Sequence, residues 1–178
     1  YDTEADPALW EIAYGLAGRA AGAGLGITVH AGEFSAANLA AALRVPGLRR
    51  LGHAVYAATD ARLLEQLAQR NVTVECCLSC NVVLGVVPSY EDHPIRQFVA
   101  SGIPVTLNTD NPVRIWTTIG REYAIAAALG FSTTELMAFT RNSIRASFTF
   151  PERRQALMDE VDRWEEDTRT PEPGAAGT

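Results

Sequence analysis

Four short strand-like runs, each closed by polar residues and separated by segments of helical spacing, constrain this chain more than any other feature. The runs are Gly26–Val29, Arg50–Gly52, Val72–Cys77 and Ile103–Leu107. Helices are expected around them. Asp6-Pro7 reads as an N-cap followed by proline at the first helical position, with Leu9, Ile12, Ala13, Leu16 and Ala20 at helical intervals up to Gly22 and Gly24. Ser35 caps a second helix through Leu39 and Leu43, and Thr59 a third that places Leu63, Leu64 and Leu67 on one face. His93-Pro94 opens a fourth, and another runs from about Thr117 to Gly130. Ser132-Thr133-Thr134-Glu135 is a capping box that starts the next. Pro151 starts a charged helix to about Glu166.

Strand and helix in alternation mean a parallel sheet with helices packed on it. An α/β chain of this type is either a doubly wound open sheet or part of a barrel of eight strand-helix units. No glycine-rich phosphate loop is present, which counts against the first. A full barrel takes about 250 residues, and 178 residues with four strands make about half of one. The expected division is residues 1–166 as the half-barrel and 167–178, with Pro171, Pro173, Gly174 and Gly177, as a disordered tail.

The polar groups stand at the strand ends. His30 and Glu33 follow the first strand, His53 the second, Asn81 the third, Asp110 and Asn111 the fourth. In a parallel barrel these ends converge on one face, where active sites lie. Two histidines and an aspartate suit zinc, and a catalytic zinc keeps one position open for water. One such histidine alone is ordinarily structural, and Asp110-Asn111-Pro112 alone reads as a turn; the pattern at four consecutive ends is what points to a site. His93 reads as a helix-start residue. Cys77-Leu78-Ser79-Cys80 has C-x-x-C spacing, but with no second pair its default reading is small buried apolar side chains.

Charge and composition narrow the partners. Fifteen arginines, with no lysine, against 21 acidic residues leave a formal charge of −6, which disfavours nucleic acid. No apolar run reaches the roughly 18 residues of a membrane span. The three cysteines, Cys76, Cys77 and Cys80, are clustered and odd in number, which suits a reducing, cytoplasmic compartment. The chain opens on Tyr1 without a signal-peptide pattern, and a processed or truncated start is expected.

Together, His30-Ala31-Gly32-Glu33, Leu51-Gly52-His53, Glu75-Cys76-Cys77 with Ser79 and Asn81, and Thr106-Leu107-Asn108-Thr109-Asp110 resemble the adenosine deaminase family. Arg121-Glu122-Tyr123 and Glu135-Leu136 extend the similarity, which covers about residues 1 to 165. The resemblance implies the carboxyl-terminal half of a TIM-type (β/α)8 barrel with one Zn2+ per complete barrel, hydrolysing adenosine to inosine and ammonia. By position it makes His30 and Asp110 zinc ligands and lets His53 hold or deprotonate the attacking water. Glu33 would give a proton to N1 of the purine. Gly32 and Asn111 would contact substrate, with Asn111 bonding N7.

The implied chemistry is coherent. Zinc lowers the pKa of bound water to about 7, and protonation at N1 makes C6 open to attack. Glu33 must then be protonated when substrate is bound, so burial should raise its pKa. Two departures from the family pattern stand out. The family's first-strand His-x-His pair is absent, since the only histidines are His30, His53 and His93, so the ligand set is incomplete within this chain. Asn111 stands where Asp is usual, and an amide donates to N7 without needing a proton. Cys80 replaces a more usual Ser or Thr. The expected partner is a small purine nucleoside, with the missing amino-terminal half or a second copy completing the barrel. The alternatives are a deaminase of adenine or another 6-aminopurine nucleoside, and a non-catalytic half-barrel binding module.

Overall fold

A computed structural model describes residues 5–168. Four parallel strands form one sheet in the order β1-β2-β3-β4: β1 Ile27–Ala31, β2 Leu48–His53, β3 Thr73–Cys76 and β4 Val105–Leu107. Each strand pairs with the next in sequence, always in the same direction. A doubly wound sheet reverses its order at a switch point; this one does not, so the winding is that of a barrel, of which it forms a half.

Cross-strand register separates the two faces. Val29, Leu51, Val74 and Val105 are partners along one row. They face the helices, where Leu51, Val74 and Val105 are buried with Leu39, Leu43, Leu67, Ile95 and Phe98. The row His30, Gly52, Glu75 and Thr106 lies on the opposite, concave face, next to Thr28 and Arg50. That face is polar. Thr28 donates to Glu75 Oε2 at 3.0 Å, and Arg50 Nε lies 3.0 Å from Glu75 Oε1, an ion pair whose N–H is not aligned on the oxygen.

Nine helices pack around the sheet among the described residues: α1 Pro7–Gly22, α2 Ala36–Ala42, α3 Ala61–Gln69, α4 Leu78–Val83, α5 Ile95–Ala100, α6 Pro112–Ile115, α7 Ile119–Ala128, α8 Thr133–Ala146 and α9 Pro151–Thr168. Side-chain caps fix several starts. Asp6 accepts from Ala8 N–H at 2.8 Å and Ser35 from Asn38 N–H at 3.3 Å, and the Ser132–Glu135 capping box is fully formed. The cap of α3 is Asp60 and not Thr59, because Val55–Thr59 forms a 3-10 turn that carries the start one residue further. Helix α9 continues through Thr168, and the rest of the expected tail, residues 169–178, lies outside the described residues. No helix among the described residues is long and apolar enough to cross a membrane.

Helix α1 turns an unexpected side inward. Leu9, Ile12 and Leu16 are exposed, while Trp10, Tyr14, Ala17 and Ala21 pack on the core. Two hydrogen bonds set this rotation: Trp10 Nε1 donates to Asn38 Oδ1 at 3.0 Å, and Tyr14 Oη donates to the Ala41 carbonyl at 2.9 Å.

Candidate active site

The carboxyl ends of the strands open on a cavity of about 450 Å3. His30, Gly32, Glu33, His53 and Asp110 all line it, with Trp10 and Phe34 among the apolar wall. Asn111 does not. It lies at the start of α6, where its Oδ1 accepts from Arg114 N–H at 3.0 Å, leaving only its amide nitrogen to donate.

Backbone geometry aims these side chains. Gly32 has φ +71°, and a Cβ there would stand 3.1 Å from Ala54 Cα and from Leu39 Cβ. His53 and Asp110 take the left-handed region without being glycine, at φ 69° and 54°. Such conformations cost about 1–3 kcal/mol each and persist where surrounding structure holds them. For His53 the turn swings the ring beside His30, edge to face, with centroids 5.0 Å apart. Gly52, opposite His30 on β2, makes room: a Cβ there would sit 2.6 Å from His30 Cδ2.

Glu33 is buried, with 8% of its surface exposed. Burial pushes its pKa up to about 7, the neighbouring Asp110 charge adds to the rise, and the hydrogen bond from Asn81 opposes it. At neutral pH a large fraction therefore carries a proton, the state a general acid needs. His53, 2% exposed, is held down to about 4 by burial first and His30 second, against the pull of Asp110 and Asn81. It is neutral at pH 7 and free to take a proton. A buried carboxyl that holds its proton beside an imidazole that lacks one is an acid/base pair set by environment.

His30 and Asp110 bring an imidazole and a carboxylate, side chains of a type that can ligate a metal, to the cavity. Among the described residues no group of three or more His, Cys, Asp or Glu is gathered to hold an ion. Two such groups fall short of the three protein ligands of a catalytic zinc, so the described residues do not make a zinc site by themselves.

Several supporting groups stand behind these residues, and of them the strand-end pattern marked only Asn81. Asn81 is fully buried on α4, a helix too short to show periodicity. Its Nδ2 lies 3.2 Å from Glu33 Oε1 and 3.3 Å from His53 Nδ1. His93 is buried behind it, with Nε2 3.2 Å from Asn81 Oδ1. Cys80 donates its thiol to Asp110 Oδ2 at 2.9 Å. Glu122, fully buried on α7, accepts from Ser79 N–H at 3.1 Å and from Thr117 Oγ1 at 2.6 Å, which pins α4 under the site. The three cysteines are free and buried, with thiol pKa values pushed up by burial, as the apolar reading expects.

Known proteins resemble this chain in sequence and fold. Curated relatives include the adenine deaminase of Rhizobium leguminosarum bv. trifolii, 42% identical over 76% of this chain and 43% of its own length. The adenine deaminase of Chelativorans sp. is 44% identical over 76% of this chain and 42% of its own length. The chain thus spans less than half the length of the curated relatives it matches. Among solved structures, the adenine deaminase of Arthrobacter aurescens matches with TM-score 0.79 and 32% identity, over 86% of this chain and 47% of that one. The N6-methyl-AMP deaminase of Arabidopsis thaliana matches with TM-score 0.76 and 29% identity, over 84% and 44%. The family model described as adenosine deaminase matches residues 8–164. With that match running from α1 to α9 and through every strand end that lines the cavity, the chain belongs to the adenosine deaminase family.

Proposed function

We propose that the complete protein carrying this chain hydrolyses the amino group at C6 of a 6-aminopurine, and that adenine is its substrate. The observation that carries this reading is Glu33, a buried carboxyl whose pKa is raised to about 7 in the same cavity as a neutral His53. The choice of adenine over the adenosine implied by the motifs rests on the curated relatives, which at 40–44% identity bear the name adenine deaminase.

The reaction adds water across C6 and expels ammonia: a C6–O bond forms, the C6–N bond breaks, and adenine becomes hypoxanthine. Glu33 donates a proton to N1, which removes electron density from C6, and recovers a proton from the C6 hydroxyl as the carbonyl forms. His53 takes the proton of the attacking water and returns it to the leaving nitrogen. Asn111, outside the wall of this cavity, would reach N7 only in the complete barrel, and with Oδ1 used as a helix cap it has its amide N–H to offer. Gly32 lets the backbone pass close beneath the base. His30 and Asp110 would hold a zinc ion together with ligands from outside the described residues, and zinc when bound supplies hydroxide at neutral pH. The remaining ligands and the rest of the barrel come from the other half of the protein or from a second copy. Free, buried cysteines support a cytoplasmic setting.

The test is amine release by the complete protein: ammonia from adenine and adenosine, methylamine from N6-methyl-AMP. Adenine is expected to react with the highest kcat/KM. Faster release from adenosine moves the assignment to the nucleoside, and none from any of the three overturns it.

A further inference from the structure

His93 is 4% exposed and does not line the cavity, yet it controls how the cavity's acid is held. Its Nδ1 lies 3.1 Å from the Ile95 backbone nitrogen and accepts that N–H. An imidazole nitrogen that accepts carries no proton, so the ring is neutral and its one proton sits on Nε2. The strong depression of its pKa by burial agrees. Nε2 therefore donates, and its partner at 3.2 Å is Asn81 Oδ1. This settles the amide's orientation. With its oxygen on His93, Asn81 must turn Nδ2 the other way, to 3.2 Å from Glu33 Oε1 and 3.3 Å from His53 Nδ1. The reversed amide would set N–H against N–H at His93 and oxygen against oxygen at Glu33. All three side chains are buried, so no solvent relieves such a mismatch.

We infer that His93 is a positioning residue: by donating to Asn81 it fixes that amide as the donor that holds the Glu33 carboxyl and faces His53. Two consequences follow for the reacting groups. Glu33 Oε1 is occupied by an N–H, so the transferable proton belongs on Oε2. His53 Nδ1 faces the same amide, which holds the orientation of its ring. The inference rests on the deaminase reading for its effect on rate, but the hydrogen-bond direction can be measured without turnover.

The experiment uses the complete protein. Nitrogen-15 NMR of labelled histidines reads which ring nitrogen of His93 is protonated, from about pH 8 to about pH 5, the range in which an unperturbed histidine titrates. The expected result is a proton on Nε2, a bare Nδ1, and no change across the range. A proton on Nδ1 overturns the inference, whatever the activity. The kinetic arm compares His93→Leu with His93→Gln, whose side-chain N–H can replace Nε2–H. His93→Leu should lower kcat about 10- to 100-fold with KM little changed, and His93→Gln should recover most of the loss. A His93→Leu protein that turns over at the wild-type rate overturns the inference, as does a folded His93→Gln no better than His93→Leu. Should His93→Leu fail to fold, the tautomer of the wild-type protein still decides. A wild-type protein without deaminase activity overturns the functional reading, and the tautomer still reports on the amide.

Discussion

Leu51 and His53 lie two residues apart on β2 and serve opposite ends. Leu51 is fully buried between its strand partners and the helices, in extended backbone and among apolar neighbours. His53 is almost as buried, but its backbone is left-handed, its ring touches another imidazole, and its neighbours include two carboxyl groups. The same contrast runs along the sheet. Val74 and Val105 bury apolar surface worth about 25 cal/mol per Å2. One or two turns away, Glu33 and Asp110 sit where like charges repel. Burial therefore stabilises the middle of the sheet and tunes chemistry at its rim. What the rim costs in strain and desolvation, the middle offsets.

Four substitutions or conditions probe that division, from the largest effect to the smallest. At the rim, Glu33→Gln should reduce kcat by roughly 10²–10⁴-fold, the range for losing a positioned proton donor, while the melting temperature stays near wild type. A Gln variant with near-normal turnover would remove Glu33 from the mechanism. In the middle, Leu67→Ala on α3 should destabilise by about 2–5 kcal/mol, read by denaturant unfolding, without changing kcat of the folded fraction. If it lowered kcat instead, the two regions would be mechanically one.

Acid should act in part through His93. Its folded pKa is lowered to about 3 from the usual 6.5, so its contribution is fully present above about pH 6.5 and lost as pH falls toward 3. Unfolding followed in that window should show His93 contributing up to about 1.4 kcal/mol lost per pH unit, and His93→Gln should reduce the slope by that share, leaving the part due to His53, which is lowered to about 4. The smallest effect is expected far from the site. Ser132→Ala removes the capping box of α8 and should cost about 1 kcal/mol, with no change in KM or kcat; a kinetic effect there would show coupling across the sheet.

The strands and the polar residues that close them were readable because β-rich runs broken by turn residues have a local signature, and because four strand ends repeated one pattern. Side-chain caps at Asp6, Ser35 and Ser132 were equally local. What could not be read depended on neighbours. Helix α1 has apolar residues on two sides, Leu9-Ile12-Leu16 and Trp10-Tyr14-Ala17, and only the partners Asn38 and Ala41 decide which turns inward. Helices α4 and α6, six and four residues long, are too short for a period to emerge. Thr59 and Asp60 are both good caps, and the preceding 3-10 turn chose between them. The bond between Asn81 and His93 joins residues 12 apart that carry no shared motif.

Gly52 leaves its own side-chain space to the imidazole of His30. For the history of such a chain this makes the two positions one heritable unit. A single base change that turns Gly52 into alanine meets a ring already in place, and a smaller residue at position 30 that would admit the methyl group gives up a cavity histidine. Neither step is open first while the other residue stands. Selection acting on random variants of the complete protein should therefore recover almost nothing but glycine at position 52 for as long as position 30 is histidine, and should relax there once it is not.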